Sequence, residues 1–308
     1  MIRSLTARVE SVVDAAKRIG VCSVTPRVLH DGYNLVVHLA PTPVVARVMT
    51  PFPDDNSDDA AHWFGAPGRE VALAEHLVRC GVPVVGPVKS VDPGPHRVEQ
   101  TCFTLWALAT PRPGERPSPA EFSALLSNLR AGLASYPGDL PRLGAWMQTP
   151  RPPATALRTG VGDPESALWL ERVWDILQAR MAILQASDLV PAHGDTHVGN
   201  LLWAEPGWVW CDFEDASLMP RYWDLACAVF RAPLLGEDVE WSTEVQRLTL
   251  GAATKVVCEE EFTLALAVRT VQSVSGGLAL STLGLTASDS VLARLAAARP
   301  LLRRLGLA

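Results

Sequence analysis

The apolar positions of this chain change period several times, and those changes divide it into parts. From residue 5 to residue 19 they recur at helical spacing (Leu5, Val9, Val12, Val13, Ala16) and stop at Gly20, which predicts one amphipathic helix. Three short runs of strand-type residues follow, at 24–29, 35–39 and 44–49. His30-Asp31-Gly32-Tyr33-Asn34 joins the first two, and Asp-Gly is a strong hairpin signal; Ala40-Pro41-Thr42-Pro43 makes the next turn. The pattern predicts an antiparallel meander with Arg47 on its third strand. Residues 50–62 hold four aspartates and two prolines without periodicity, and predict a mobile loop. A helix is expected at about 68–80, closed by Gly81, with two or three more strands over 82–91 and 98–108.

The pattern then turns helical. Residues 109–119 carry four prolines and read as a hinge. Ser118-Pro119-Ala120-Glu121 is a capping box with Pro at the first helical position, so a helix runs from there to about residue 135. Residues 137–162 are rich in Pro and Gly and read as irregular, and Asp163-Pro164 opens a second long helix. Short strands are expected at 201–203 and 208–211 around Glu205-Pro206-Gly207, and helices at about 222–231, 239–257, 259–275 and 288–304. The expected fold class is α+β: a small antiparallel-sheet lobe with one inserted helix over 1–108, a hinge over 109–117, and a larger, mainly helical lobe over 118–308.

Composition narrows the class. Hydrophobic residues at 48% and charged ones at 19% describe an ordinary globular protein, and 308 residues leave room for two lobes. A net charge of -6 argues against a nucleic-acid surface. Arg outnumbers Lys 24 to 3, a bias attributed to a GC-rich genome. None of the six cysteines forms a C-x-x-C pair, so buried free thiols are expected. No signal-peptide pattern and no membrane-length apolar run is seen, so a soluble, cytoplasmic protein with no membrane partner is expected.

One stretch demands chemistry. His193-Gly194-Asp195-Thr196-His197-Val198-Gly199-Asn200 and the following Cys211-Asp212-Phe213-Glu214 put His193, Asp195, His197, Asn200, Asp212 and Glu214 into otherwise apolar, strand-like sequence. Buried polar groups without partners are costly, so this density implies coordination or reaction. His193, Asp195 and His197 at alternate positions on a strand fit a zinc or iron site. Phosphoryl transfer fits as well. It needs a carboxylate to orient the attacking hydroxyl, oxygen donors for Mg²⁺ and a cation on the phosphates, and Asp195, Asn200, Asp212 and Arg47 are of those types. Oxygen donors suit Mg²⁺ better than zinc.

The H-G-D-T-H-V-G-N run and the later C-D-F-E resemble the catalytic signature of the aminoglycoside phosphotransferase family, and P-R-Y-W-D-L-A at 220–226 resembles a further motif of it. The resemblance implies a two-lobed, protein-kinase-like fold and a Mg²⁺-dependent kinase that moves the γ-phosphate of ATP (or GTP) to a hydroxyl of a small molecule. It makes Asp195 the catalytic base, and Asn200 and Asp212 the metal ligands. It places Arg47 on the α/β-phosphates and paired with Glu70, with Glu75 as the competing partner. Gly32 and Asn34 would lie in the nucleotide-covering turn, and Trp106, Ala107 and Leu108, with Ala109, would line the adenine slot. His193 would be structural and Asp224 would brace the catalytic loop. His197 would face substrate or cap the loop, and Glu214 would sit near the metals or serve as a turn residue. Two departures from the pattern stand out. Arg47 replaces the lysine of well-known antibiotic kinases, and the nucleotide turn holds a single glycine.

Substrate is harder to read. From residue 216 to the end, nine acidic and nine basic residues balance, which favours a neutral or modestly charged alcohol over a polycation. The competing functions are a nucleotide-binding pseudokinase or regulatory module and a metal-dependent hydrolase built on the two histidines. Oligomeric state leaves no mark in the sequence.

Overall fold

A computed structural model describes residues 4–22, 25–32, 34–49, 60–98, 101–152, 163–251, 256–282, 284 and 286–307, with the side chains of 60–64, 101 and 256–258 left aside. Its contacts group into two compact units. One comprises residues 1–115 with 201–214; the other comprises 116–200 with 215–308. The segment that carries the polar cluster therefore passes from the second unit into the first and back.

The first unit is built on a five-stranded antiparallel sheet of order β1-β2-β3-β5-β4: β1 Arg27–Asp31, β2 Asn34–His38, β3 Val44–Met49, β4 His96–Val98 and β5 Thr101–Ala107. Helix α1, Leu5–Arg18, is capped by the Ser4 hydroxyl and packs on one face. The period of two sorts the strands: Leu35, Val37, Ala46, Val48, Phe103 and Leu105 form that core with Val12 and Ala16 of α1. The opposite row holds Val36, Arg47 and Thr104 in register, with Val45 beside Trp106. Burying the α1 face commits Arg47 to the other side, because a one-residue slip would turn Ala46 and Val48 out of the core.

Three expectations for this unit are corrected. Helix α2 runs Ala60–Arg79, starting eight residues before the expected point. Gly65, Pro67 and Gly68 look like breakers, yet the helix runs through Pro67, its eighth residue, and forgoes one i→i−4 bond there. The expected loop at 50–62 thus ends by residue 59, and 50–59 lie outside the described residues. Residues 82–91 form no strand. They make single bridges, Val84 to Trp210 and Pro87 to Trp106, because Pro83 and Pro87 remove ladder donors. The thiols of Cys22 and Cys80 are exposed, whereas Cys102 and Cys227 are buried. The hairpin of β7, Leu201–Ala204, and β8, Gly207–Trp210, completes the unit. Thr110 and Trp203 exchange N–H···O bonds of 3.0 and 2.8 Å, which tie the chain after β5 to this hairpin.

The second unit is helical: α3 Pro119–Ala134, α4 Gly144–Met147, α5 Pro164–Ala182, α6 Trp223–Val229, α7 Arg231–Leu235, α8 Val239–Leu250, α9 Val256–Thr282 and α10 Ser288–Arg304. The expected capping box at α3 is present, with Ser118 and Glu121 bonding reciprocally. Gly236 in the left-handed region ends α7, and Gly251 ends α8 where a longer helix was expected. A two-stranded ladder that the sequence reading missed joins β6, Leu189–Ala192, to β9, Ser217–Pro220. It brackets the polar segment and fixes both of its ends. Among the described residues, no helix is long and apolar enough to cross a membrane.

Candidate active site

In the second unit, Asp195 stands on a loop whose backbone is held from three sides. Asp224, in the first turn of α6 and almost fully buried, accepts the N–H of His193 at Oδ2 and of Gly194 at Oδ1, both at 3.1 Å. Its own carbonyl accepts the Thr196 hydroxyl. The Gly194 carbonyl accepts the Trp223 indole N–H at 2.8 Å and the Cys227 thiol at 3.3 Å. Gly194 has φ +97°, and a Cβ there would lie 2.3 Å from the Asp215 carbonyl oxygen, so only glycine fits. His193 is fully buried and its Nδ1 accepts the Asp195 N–H at 3.3 Å. The carboxylate of Asp224 thus acts on backbone amides, which is bracing.

The Asp195 carboxylate lies between cationic and polar partners. Oδ1 accepts from the Arg269 guanidinium, and Oδ2 lies 3.3 Å from His197 Nε2. Asn200 Nδ2 donates to the Asp195 carbonyl at 2.8 Å and lies 3.5 Å from Oδ2. Burial alone would raise the carboxyl, but Arg269, then His197 and His193, more than offset it and hold Asp195 well below the usual carboxylate range. Arg269 itself is fixed by Gln272, which accepts from Nη1 at 2.6 Å and donates to the Ala145 carbonyl, and by the Phe230 ring at 4.6 Å. The sequence reading missed Arg269. Its signal was available: it is the sole charge between Glu261 and Asp289.

In the first unit, Arg47 is the hub. Its Nη1 donates to Glu70 Oε2 at 2.6 Å, and its Nη2 donates to Asp212 Oδ1 at 2.7 Å and to Glu214 Oε2 at 2.6 Å. Glu75 is exposed and makes no such bond. Glu70 also accepts the Phe213 N–H at 3.1 Å, so one buried carboxylate from α2 binds both the β3 arginine and the D-F-E backbone. Asp212 takes φ +68°, a left-handed turn that brings its carboxylate and that of Glu214 to the same guanidinium. Burial, then the competing Asp212 and Glu214 charges against Arg47, pushes Glu70 up to about 7. The upward direction follows from burial first, with the two neighbouring carboxylates adding to it.

Asn34 at the start of β2 donates to Glu214 Oε2 at 3.0 Å, and its buried Oδ1 has no hydrogen-bond partner among the described residues. Gly32 lies in the exposed turn before it. A cavity of about 170 Å³ opens beside the hub, lined by Val36, Val45, Trp106, Ala107, Ala109 and Cys211 and bounded by Arg47, Glu70 and Asp212. Leu108 lies instead on a second, larger cavity with Pro43 and Val88.

The donor set decides between metals. Among the described residues, no three His, Cys, Asp or Glu side chains group to hold an ion. The Nδ1 atoms of His193 and His197 both accept backbone N–H groups, from Asp195 and from Gly199. That arrangement does not suit zinc. Mg²⁺ asks for less protein: one or two oxygen ligands, the rest from phosphate and water. Asp212, bonded to Arg47 through Oδ1 and 37% exposed, fits that demand, and Asn200 is an oxygen donor of the same kind.

The sequence of residues 28–254 matches the model of the phosphotransferase enzyme family (APH). The chain belongs to this family. Its structural likenesses agree on the kinase-like fold. A choline/ethanolamine kinase family protein from Mesorhizobium loti superposes with a TM-score of 0.61 at 14% identity, over 99% of both chains. An amicoumacin kinase in complex with AMP-PNP, Ca²⁺ and Ami gives 0.68 at 14%, over 99% of this chain and 96% of that one. The choline kinase LicA from Streptococcus pneumoniae gives 0.65 at 11%, over 97% and 99%. No curated protein sequence matches the chain.

Proposed function

We propose that this phosphotransferase moves the γ-phosphoryl group of ATP or GTP, with Mg²⁺, to a hydroxyl of a small molecule, and that Asp195 handles the hydroxyl proton. The observation that carries the reading is the state of Asp195: a carboxylate on the H-G-D-x-x-x-x-N loop, kept ionised by Arg269 and His197. Such a group accepts a hydrogen bond from an alcohol and aims its oxygen, but it is too weak a base to remove the proton early. In a loose phosphoryl-transfer transition state the alcohol becomes acidic late, as its oxygen bonds to phosphorus. The proton then passes to Asp195 while the nucleoside diphosphate leaves.

Asp212 and Asn200 are the residues that would hold Mg²⁺, which supplies charge neutralisation on the β- and γ-phosphates. Arg47 is the phosphate-binding cation of the reading, and the 170 Å³ cavity with Trp106 and Ala107 is its nucleobase site. Support comes from the relatives: the amicoumacin kinase holds AMP-PNP and Ca²⁺, and an aminoglycoside 2′-phosphotransferase of 16% identity and TM-score 0.58 holds GDP. The test is diphosphate release across a panel of alcohols, with a thermal-shift series of nucleotides with and without Mg²⁺. Asp195→Ala should lower kcat by roughly 10²–10⁴-fold while leaving nucleotide-induced stabilisation in place. Near-normal turnover in that variant removes Asp195 from the reaction. Stabilisation by nucleotide with no transfer to any acceptor or to water makes the protein a nucleotide-binding module instead.

A further inference from the structure

Arg47 holds three carboxylates with two nitrogens, and it divides them unevenly. Nη1 serves Glu70 of α2 alone, at 2.6 Å. Nη2 serves two acceptors at once, Asp212 Oδ1 at 2.7 Å and Glu214 Oε2 at 2.6 Å. All four residues belong to the first unit. Two carboxylate oxygens from either side of Phe213 therefore converge on one point, and a guanidinium nitrogen occupies it. Mg²⁺ takes carboxylate oxygens at about 2.0–2.1 Å, so a point flanked by two of them is also where such an ion binds. Exposure rises across the fork, from 2% at Glu70 to 24% at Glu214 and 37% at Asp212, so Nη2 is the outer nitrogen.

The surroundings separate what is pinned from what can move. Glu70 accepts the Phe213 N–H as well as Arg47 Nη1, and Asp212 sits in a left-handed turn, so the backbone carrying the outer carboxylates is held. The guanidinium lies at the end of a long side chain and is the part that can swing. Asn34 adds an independent sign. Its Nδ2 donates to Glu214 Oε2 at 3.0 Å, while Oδ1 of the same amide is buried without a hydrogen-bond partner among the described residues. A bare acceptor beside this carboxylate costs free energy, and a water or hydroxyl brought in with a metal or nucleotide would satisfy it. Arg47 leaves that acceptor unserved, so the guanidinium does not complete the cluster.

We propose that Arg47 is a built-in plug: in the nucleotide-free protein its Nη2 takes the place of the metal between Asp212 and Glu214. Phosphate oxygens compete with those carboxylates for Nη2, and its departure opens their oxygens to the metal. Metal and nucleotide then bind with positive coupling, and metal alone binds weakly. The device gives a reason for arginine where well-known antibiotic kinases have lysine. Holding Glu70 with one nitrogen and bridging the D-F-E carboxylates with another takes a fork, which a lysine ammonium lacks. The proposal rests on the reading of Asp212 as a metal ligand, and it adds how access to that ligand is controlled.

The test measures Mn²⁺ binding to the nucleotide-free protein, read by EPR as loss of the free-ion signal. Arg47→Gln should bind Mn²⁺ roughly tenfold or more tighter than the wild type. Its stabilisation by nucleotide should weaken at the same time, because the phosphate-binding cation is gone. Opposite shifts separate the plug from a general loosening of the site, which would weaken both. Arg47→Lys, one nitrogen short, should fall between the two, and it carries the test if Arg47→Gln does not fold. Adding Asp212→Asn to either variant should abolish the gain. Mn²⁺ affinity that is unchanged or lowered in a folded variant overturns the proposal, as does a gain that survives Asp212→Asn. Either result leaves the kinase reading standing where the wild type transfers phosphate to an alcohol. A wild type that transfers phosphate to no acceptor overturns that reading, whatever the variants bind.

Discussion

Arg47 and Asp195 are opposites in charge and in surroundings. Arg47 is one cation among three carboxylates, from Glu70, Asp212 and Glu214. Asp195 is one carboxylate held by Arg269 and His197. The first cluster is short of positive charge, and the ion-pair arithmetic of one against three leaves it ready for a cation. The second has its anion over-stabilised, which fixes protonation state and direction at the expense of basicity. The contrast teaches that the two clusters use burial differently. In the first unit, burial outweighs the pull of Arg47 and raises Glu70; in the second, Arg269 with His197 and His193 outweighs burial and lowers Asp195.

Arg269→Gln should break the second half of this contrast, and it carries the largest effect. Asp195 would keep its burial and lose its main cation, so its pKa should rise. The acid limb of the kcat/KM profile, which lies low in the wild type because Asp195 stays ionised, should then move to higher pH. Removing one partner of a largely buried pair costs about 3–5 kcal/mol, and less here because the Asp195 side chain keeps 26% exposure. A profile that does not move means that Arg269 does not set the ionisation of Asp195.

Glu70→Gln addresses the first half. The folded protein holds Glu70 protonated up to about 7, from an ordinary value of 4.5. Its folded pKa is raised, so its contribution to stability is full below about 4.5 and is lost as pH rises through about 7. The glutamine variant has no such loss. Relative to the variant, wild-type Tm should therefore decline across that window, by the equivalent of about 2 kcal/mol. Parallel melting curves from pH 5 to pH 8 would show that Arg47 satisfies all three carboxylates.

How much of this was legible in the sequence depends on the range of the interaction. The capping box at Ser118, the meander and the spacing from His193 to Asn200 are local patterns, and local physics fixes them. The strands β6 and β9 were not legible, because each is four residues long, holds a proline and is stable only through the other. The start of α2 was hidden by Pro67, whose cost depends on its place in the helix. The Arg47 partners lie 23 to 167 residues away, and only Glu70 was anticipated as a direct partner, through resemblance. Arg269 sits 74 residues from Asp195 on a helix whose apolar pattern says only that it is buried. A lone charge in such a helix marks a partner without naming it.

The smallest effect sharpens the contrast most finely. The Arg269 guanidinium carbon lies 4.6 Å from the centre of the Phe230 ring, which is 3% exposed. A cation over a desolvated ring gains about 1 kcal/mol, and replacing Phe by Leu also leaves a small void. Phe230→Leu should therefore cost about 1–2 kcal/mol in stability and roughly two- to fivefold in kcat, as Arg269 loosens its hold on Asp195. Phe230→Tyr keeps the ring face and should retain more activity than the leucine variant, with its added hydroxyl costing stability instead. If Leu and Tyr lose activity equally, the ring acts on Arg269 by filling space. The carboxylate at Asp195 is then oriented by packing, and its low pKa is a by-product of the arginine beside it.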